Sequence, residues 1–174
     1  PQKNQVQVAP LTTDQPNTLT VDVLIRSTGR LELRKALESL AAQTHKALHI
    51  YIADAAATGL QTAHSWPFPV DIVTKGQKML RSQAANALLD AAPSSVALFL
   101  DEDDWLLPDH IEKLVRALAQ SPQAVMAYTD TRCITMDDSG QETVVREYTQ
   151  PYQPEHLMLE NYIPIHAALF RRSP

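Results

Sequence analysis

Five apolar residues, Val96-Ala97-Leu98-Phe99-Leu100, run directly into four acidic ones, Asp101-Glu102-Asp103-Asp104. A short unbroken apolar run bounded by breakers, here Pro93-Ser94-Ser95, reads as a strand buried on both faces, of the kind found inside parallel sheets. Its carboxyl end then carries the acids, and in open α/β sheets that edge is where ligands bind. Four adjacent carboxyls repel one another and add little to stability there, and a divalent cation offsets the repulsion. In extended backbone, residues two apart face the same way. Asp101 and Asp103 are therefore expected to face one ion together, with Glu102 turned away. Mg2+ and Mn2+ suit such a pair, because hard cations take one or two carboxylates and complete their shell with substrate phosphates and water. The plainer reading is a solvated acidic turn ahead of a helix starting at Pro108-Asp109. The buried strand feeding the run favours the cation.

A calcium loop fits less well. Glu112 falls at its last position, but Trp105 offers no oxygen, Leu106 replaces the required Gly, and Pro108 stiffens the loop. A phosphatase with an aspartyl nucleophile also carries two Asp after an apolar strand. There the strand is expected to be the first of the domain, whereas two or three strand candidates precede Val96. A metal-dependent phosphohydrolase stays as a lesser alternative.

Taken in order, residues 1–19 are rich in Gln, Thr, Asn and Pro without periodicity and read as a flexible tail or linker. Val21 to Ile25 is a strand, and Leu33, Leu37, Leu40 and Ala41 mark an amphipathic helix over Leu31 to Gln43. Leu48 to Ala53 is a second strand ending at Asp54, followed by the small-residue loop Ala55-Ala56-Ala57-Thr58-Gly59. Val70 to Val73 is a third strand. Leu80, Ala84, Ala87, Leu88 and Ala91 mark a second helix, and the Val96 strand follows. Pro108 is expected at the first position of a third helix, with Ile111, Leu114, Val115 and Leu118 on its inner face. Val125 to Thr129 is a strand. Cys133 to Met136 and Glu142 to Glu147 flank Asp137-Asp138-Ser139-Gly140, a hairpin signal. Pro154 to Leu159 reads as a short helix and Ala167 to Phe170 as a last strand. Strands alternating with helices predict an α/β fold with a mostly parallel sheet, which antiparallel strands from the late hairpin join.

At 174 residues the chain is long enough for one domain with a sizeable core. Its net charge of −5 and lack of a basic cluster speak against nucleic acid as a partner. A single cysteine, Cys133, excludes an internal disulfide and suits a reducing compartment. No apolar stretch approaches the roughly 18 residues needed to span a bilayer. With no signal-peptide pattern, the expectation is a cytoplasmic protein.

Four segments, in order, resemble family 2 glycosyltransferases of the GT-A fold. They are Val21-Asp22-Val23-Leu24-Ile25-Arg26 with Leu33 to Thr44 and the strand ending at Asp54; Arg81-Ser82-Gln83-Ala84-Ala85-Asn86; Phe99-Leu100-Asp101-Glu102-Asp103-Asp104; and Asn161-Tyr162-Ile163-Pro164-Ile165-His166-Ala167-Ala168-Leu169-Phe170-Arg171-Arg172. The resemblance covers residues 20–174 and implies a GT-A-like (Rossmann-like) three-layer α/β/α domain, incomplete at its C-terminus. It implies a metal-dependent transferase of hexosyl type that binds a nucleotide-diphosphate sugar, UDP-sugar favoured. The sugar passes, with inversion, to a saccharide or other hydroxyl acceptor.

By the same resemblance Asp54 accepts a hydrogen bond from the base, Arg81 faces phosphate and Asn86 braces the nucleotide loop. Arg26 and Arg30 line the donor site, Asp101 contacts the substrate, and Asp101 and Asp103 hold Mn2+ or Mg2+. The chain departs from the family at Ala55-Ala56-Ala57, where a second acid and Gly-Ser are usual. The family's general base is expected beyond Pro174; Glu155 and Glu160 do not match its motif, and His166 reads as structural. The rival to a transferase is a degenerate GT-A-like module that binds a nucleotide or partner without transferring sugar.

Overall fold

The computed structural model describes residues 19–62, 65–137 and 139–172. Residues 1–18 of the tail expected over 1–19, and Asp138 of the hairpin turn, lie outside them. Twelve elements follow in chain order: β1 (Val21–Ser27), α1 (Leu33–Ala41), β2 (Leu48–Asp54), β3 (Val70–Val73), α2 (Arg81–Ala91), β4 (Val96–Asp101), α3 (His110–Gln120), β5 (Met126–Tyr128), β6 (Thr131–Met136), β7 (Glu142–Tyr148), α4 (Pro154–Leu157) and β8 (Ala168–Arg171). Six strands form one sheet in the order β3-β2-β1-β4-β8-β5. β1 is parallel to both β2 and β4, while β8 runs antiparallel between β4 and β5.

The strand alternation of two residues sorts the core into two layers. Val21, Val23 and Ile25 of β1 and Val96, Leu98 and Leu100 of β4 face α1 and α3, whose Leu33, Leu37, Leu40, Ile111, Leu114 and Leu118 complete that cluster. Leu24, Ala97 and Phe99 face the other way, against Ala84 and Leu88 of α2. α1 and α3 bury residues at spacings of three and four, the amphipathic pattern that holds a helix on a sheet. α2 buries two alanines and a leucine, small enough to bring its first turn close over the sheet edge. Gln83 begins that turn by accepting the Leu80 N–H at 2.8 Å.

Two expectations about the elements are corrected. Pro108 is not the first residue of α3, which starts at His110. The Pro108 carbonyl instead accepts the Thr44 N–H at 2.7 Å, which ties the preceding turn to the end of α1. The late hairpin does not join the main sheet: β6 and β7 pair only with each other, and the antiparallel strand inserted beside β4 is β8. The middle of β7 is exposed on both faces, so that hairpin buries too little to be recruited into the core.

The chain steps outward from β1 to β2 and β3, then returns to the other side of β1 for β4. That reversal leaves a crevice at the carboxyl ends of β1 and β4, the place where open α/β sheets bind ligands.

Candidate donor-binding site

Arg26 and Asp101 are register partners across β1 and β4. Alternation puts both on the α2 face, since their neighbours on that face, Leu24 and Phe99, pack there. The Arg26 guanidinium donates to Asp101 Oδ1 with its side chain only 11% exposed, and it lies 5.9 Å from the centre of the Phe99 ring. Arg81, the first residue of α2, reaches the second carboxylate oxygen of Asp101 at 2.9 Å. Arg30, in the loop after β1, donates to Asp103 Oδ2 at 3.2 Å. These three arginines, with Ser27, Thr28, Ala55, Met79, Ala84 and the acids Asp101, Glu102 and Asp103, line a cleft of about 370 Å³ at the crevice.

Glu102 faces the opposite layer from Asp101. It is 5% exposed, and four donors converge on it: Ser27 Oγ at 2.6 Å, Thr28 Oγ1 at 2.6 Å, the Thr28 N–H at 3.0 Å and the Arg30 N–H at 3.3 Å. Burial alone would raise its pKa, but these donors outweigh burial and hold it below the ordinary glutamate value. Glu102 is therefore turned away from the cleft's carboxylates, as expected, and it clamps the β1–α1 loop to the acidic turn. The backbone there is not extended. The Asp104 N–H donates to the Asp101 carbonyl at 3.1 Å, closing a turn over 101–104. Asp101 and Asp103 reach the same cleft through that turn and not through strand alternation, because the chain must reverse beyond the sheet edge.

Asp54 ends β2 beside Ser27 of β1. Its carboxylate is 2% exposed and accepts the Thr58 N–H at 2.9 Å, Thr58 Oγ1 at 3.0 Å, the Gly59 N–H at 2.9 Å and the Leu60 N–H at 3.2 Å. Burial again raises its pKa and these bonds more than reverse the effect. Asp54 thus closes the Ala55–Gly59 loop upon itself, and a base N–H would have to displace one of these donors to reach it. The loop also abuts the β1–α1 loop. Gly29 has φ +87°, and a Cβ there would come within 3.2 Å of Thr58 Cγ2. Glycine meets both demands at this contact.

Of the other candidates, Asn86 lies on the exposed side of α2 and outside the cleft lining. It is two residues from Ala84, so helical geometry turns it away from the nucleotide loop. Glu155 is exposed, and Glu160 pairs with Arg146 at 2.8 Å near the hairpin. His166 stands in a short 3-10 turn before β8, with Nδ1 2.9 Å from Asp104 Oδ2. Sequence reasoning missed Ser27 and Thr28 as partners of Glu102, and Arg26 as the partner of Asp101. They are separated from those acids by 74 or 75 positions, and only the β1–β4 pairing brings them together.

Among the described residues no three His, Cys, Asp or Glu side chains gather as a ready cage for a metal ion. The cleft offers two carboxylates, Asp101 and Asp103. That is the set Mg2+ or Mn2+ uses when phosphate and water supply the remaining oxygens. The donors fit a hard cation once guanidinium groups give up part of their hold on them.

A mostly parallel α/β sheet with arginines and carboxylates gathered at its switch point is the architecture of a GT-A-like domain. Residues 28–173 match the family model described as glycosyl transferase family 2, and the chain belongs to that family. It is 26% identical over 145 residues to a Haemophilus influenzae protein described as an uncharacterized glycosyltransferase, covering 82% of this chain and 48% of that one. It therefore spans about half the length of this curated relative. Among solved structures it resembles Staphylococcus aureus TarS residues 1–349, with a TM-score of 0.54 and 13% identity over 88% of this chain and 47% of that one. The same protein in complex with UDP-GlcNAc gives a TM-score of 0.52 and 16% identity over 62% of this chain and 33% of that one. At these identities the likeness concerns the fold. No helix among the described residues is long and apolar enough to cross a membrane.

Proposed function

We propose that this domain binds a nucleoside-diphosphate sugar, UDP-sugar favoured, together with Mn2+ or Mg2+. In this reading it hands a hexosyl group, with inversion, to a saccharide or other hydroxyl acceptor. The observation that carries the reading is the convergence of Arg26, Arg30, Arg81, Asp101 and Asp103 on one cleft at the sheet's switch point. A diphosphate needs cationic partners, and guanidinium groups supply forked donors that match phosphate oxygens. A donor molecule is too polar for an apolar pocket, and this cleft is lined by charge. The TarS structure described as a complex with UDP-GlcNAc shares the fold and favours uridine as the base.

In this mechanism Arg81 and Arg30 hold and orient the diphosphate, and Asp103, with Asp101 in support, holds the cation. A cation held there by Asp103 and Asp101 would supply Lewis acidity toward the negative charge growing on the departing diphosphate. Glu102 keeps the β1–α1 loop against the acidic turn, so that Arg30 stays at the cleft. Asp54 keeps the Ala55–Gly59 loop closed behind the base. The test is calorimetry of UDP with Mn2+ on the parent chain and on Asp103→Ala. The variant is expected to bind the pair at least about tenfold more weakly, the loss of one charge-assisted contact. Equal binding by a folded variant removes Asp103 as the ligand, and no binding by the parent removes the reading.

A further inference from the structure

The cleft is lined by three arginines and three acids, and within it the two signs are already paired with each other. Asp101 is engaged at both oxygens, by Arg26 and Arg81, and Asp103 is engaged by Arg30. Neither a free diphosphate nor a free cation meets an uncompensated site. Arg26 is the deepest of these groups. Its side chain is 11% exposed, against 58% for Arg30 and 74% for Arg81.

We infer that Arg26 occupies the cation's place against Asp101 and makes the cleft accept the cation and the diphosphate only as a pair. The inference rests on the proposed donor site and adds to it a residue that sets the order of assembly. A dication arriving alone must push a largely buried guanidinium off Asp101 and leave it without an anion. A diphosphate arriving alone meets Arg81 and Arg30 but finds the deepest guanidinium already held by Asp101. The first leaves a largely buried guanidinium uncompensated, which is strongly unfavourable, and the second gains nothing from it. When both arrive, each displaced group meets its new partner: guanidinium turns to phosphate and Asp101 turns to the metal. Ion pairs are exchanged and none is lost. Arg81 and Arg30 can swing out into solvent at little cost, so they hold the diphosphate without enforcing the pairing.

The coupling is reciprocal by thermodynamic necessity: the factor by which Mn2+ tightens UDP equals the factor by which UDP tightens Mn2+. Calorimetry of UDP with and without Mn2+, and spin-resonance titration of Mn2+ with and without UDP, give that factor for the 174-residue chain. It is expected to be at least about tenfold in the parent, within the usual range of such couplings. In Arg26→Gln it is expected to fall by at least about threefold, leaving what direct contact between phosphate and cation supplies, with Mn2+ alone binding more tightly than in the parent. Arg81→Gln, altered at an exposed position, is expected to weaken UDP while leaving the coupling near the parent's value. That variant serves also if Arg26→Gln fails to fold, since a coupling lost equally in Arg81→Gln overturns the assignment to Arg26. Mn2+ binding unchanged in folded Arg26→Gln, or a parent that binds Mn2+ and UDP together without coupling, overturns the inference and leaves the donor site standing. A parent that binds neither overturns both.

Discussion

Replacing Glu102 tests whether the acidic run serves as scaffold at one position and as ligand at its neighbours. In Glu102→Gln, Oε1 keeps the two bonds from Thr28, which now go to a neutral acceptor. The amide nitrogen takes the place of Oε2. There it meets the Ser27 hydroxyl, which can rotate to accept, and the Arg30 N–H, which cannot accept. Three charge-assisted bonds fall to neutral strength, a loss of up to about 1 kcal/mol each, and the long bond from Arg30 disappears. The sum expected at pH 7 is about 2–3 kcal/mol, or about 5–10 °C in Tm for a domain of this size. The pH dependence adds a second check. Glu102 has its pKa lowered from 4.5 by folding, so its contribution is complete above about pH 4.5 and is lost as pH falls through the lowered value. The gap between parent and variant must therefore shrink below pH 4.5. Urea unfolding at pH 7 and at pH 3.5 measures both, and amide exchange at Thr28 and Arg30 locates the effect. A gap under about 0.5 kcal/mol at pH 7, or one that does not change with pH, refutes the clamp.

His110 gives a pH effect in another range: burial, with the nearby His166, pushes its pKa down from 6.5 to about 4. Between those values the unfolded chain takes up a proton that the folded chain refuses, so stability falls as pH drops from 6.5 towards 4. The full effect is about 3 kcal/mol, of which about 2 kcal/mol is lost by pH 5. His110→Gln is expected to flatten this part of the stability profile, and parallel urea midpoints for parent and variant between pH 7 and 5 would count against it. Asp54→Ala is expected to speed amide exchange at Thr58, Gly59 and Leu60, whose bonds to its carboxylate are lost, and, as the Ala55–Gly59 loop opens, to weaken UDP binding about tenfold, the scale of one hydrogen bond to a charged group. Unchanged exchange in a folded variant would show that Asp54 does not brace the loop.

The central parallel strands were legible because they are buried on both faces. Val96 to Leu100 and Leu48 to Ala53 carry a signal that needs no knowledge of their neighbours, and both are strands at nearly the expected bounds. The helices α1 and α3 announce themselves by buried residues at spacings of three and four. The hairpin's turn chemistry was equally plain, yet its place outside the main sheet was not, because β-propensity does not say which edge a strand pairs with. Pro108 was misplaced by two positions because a tertiary contact, its carbonyl on Thr44, decides where α3 begins. The site divides along the same line. Asp101 and Asp103 were singled out by residue type and position, and Arg26, Arg30 and Arg81 by the resemblance, and all five line the cleft. The clamp on Glu102 was invisible, since a Ser and a Thr in a loop identify no partner 74 or 75 positions away. Asn86 was drawn in by likeness to a motif, and its exposed place on α2 answers to helical phase, which a motif match ignores.

Asp101 and Glu102 are consecutive acids with opposite tasks, and the difference follows from the sheet. β1 and β4 are parallel and in register, so whatever ends β1 stands beside whatever ends β4. Residues of one parity at that edge belong to the α2 layer and those of the other parity to the layer of α1 and α3. Arg26 and Asp101 share the first side, where α2 contributes Arg81 and the cleft lies open to a ligand. Ser27 and Glu102 share the second side, where the β1–α1 loop folds back over them. A glutamate suits that second place because its extra methylene lets one carboxylate reach Ser27, Thr28 and Arg30 together, whereas an aspartate would fall short of the loop. The exposed turn at Asp103 requires no such reach, and a shorter acid there keeps its charge near Arg30 and the proposed diphosphate site. Glu102 is thus set by the fold, and Asp101 and Asp103 by the proposed ligand. Exchanging Asp101 with Glu102 would therefore damage both stability and binding, although composition and net charge would not change.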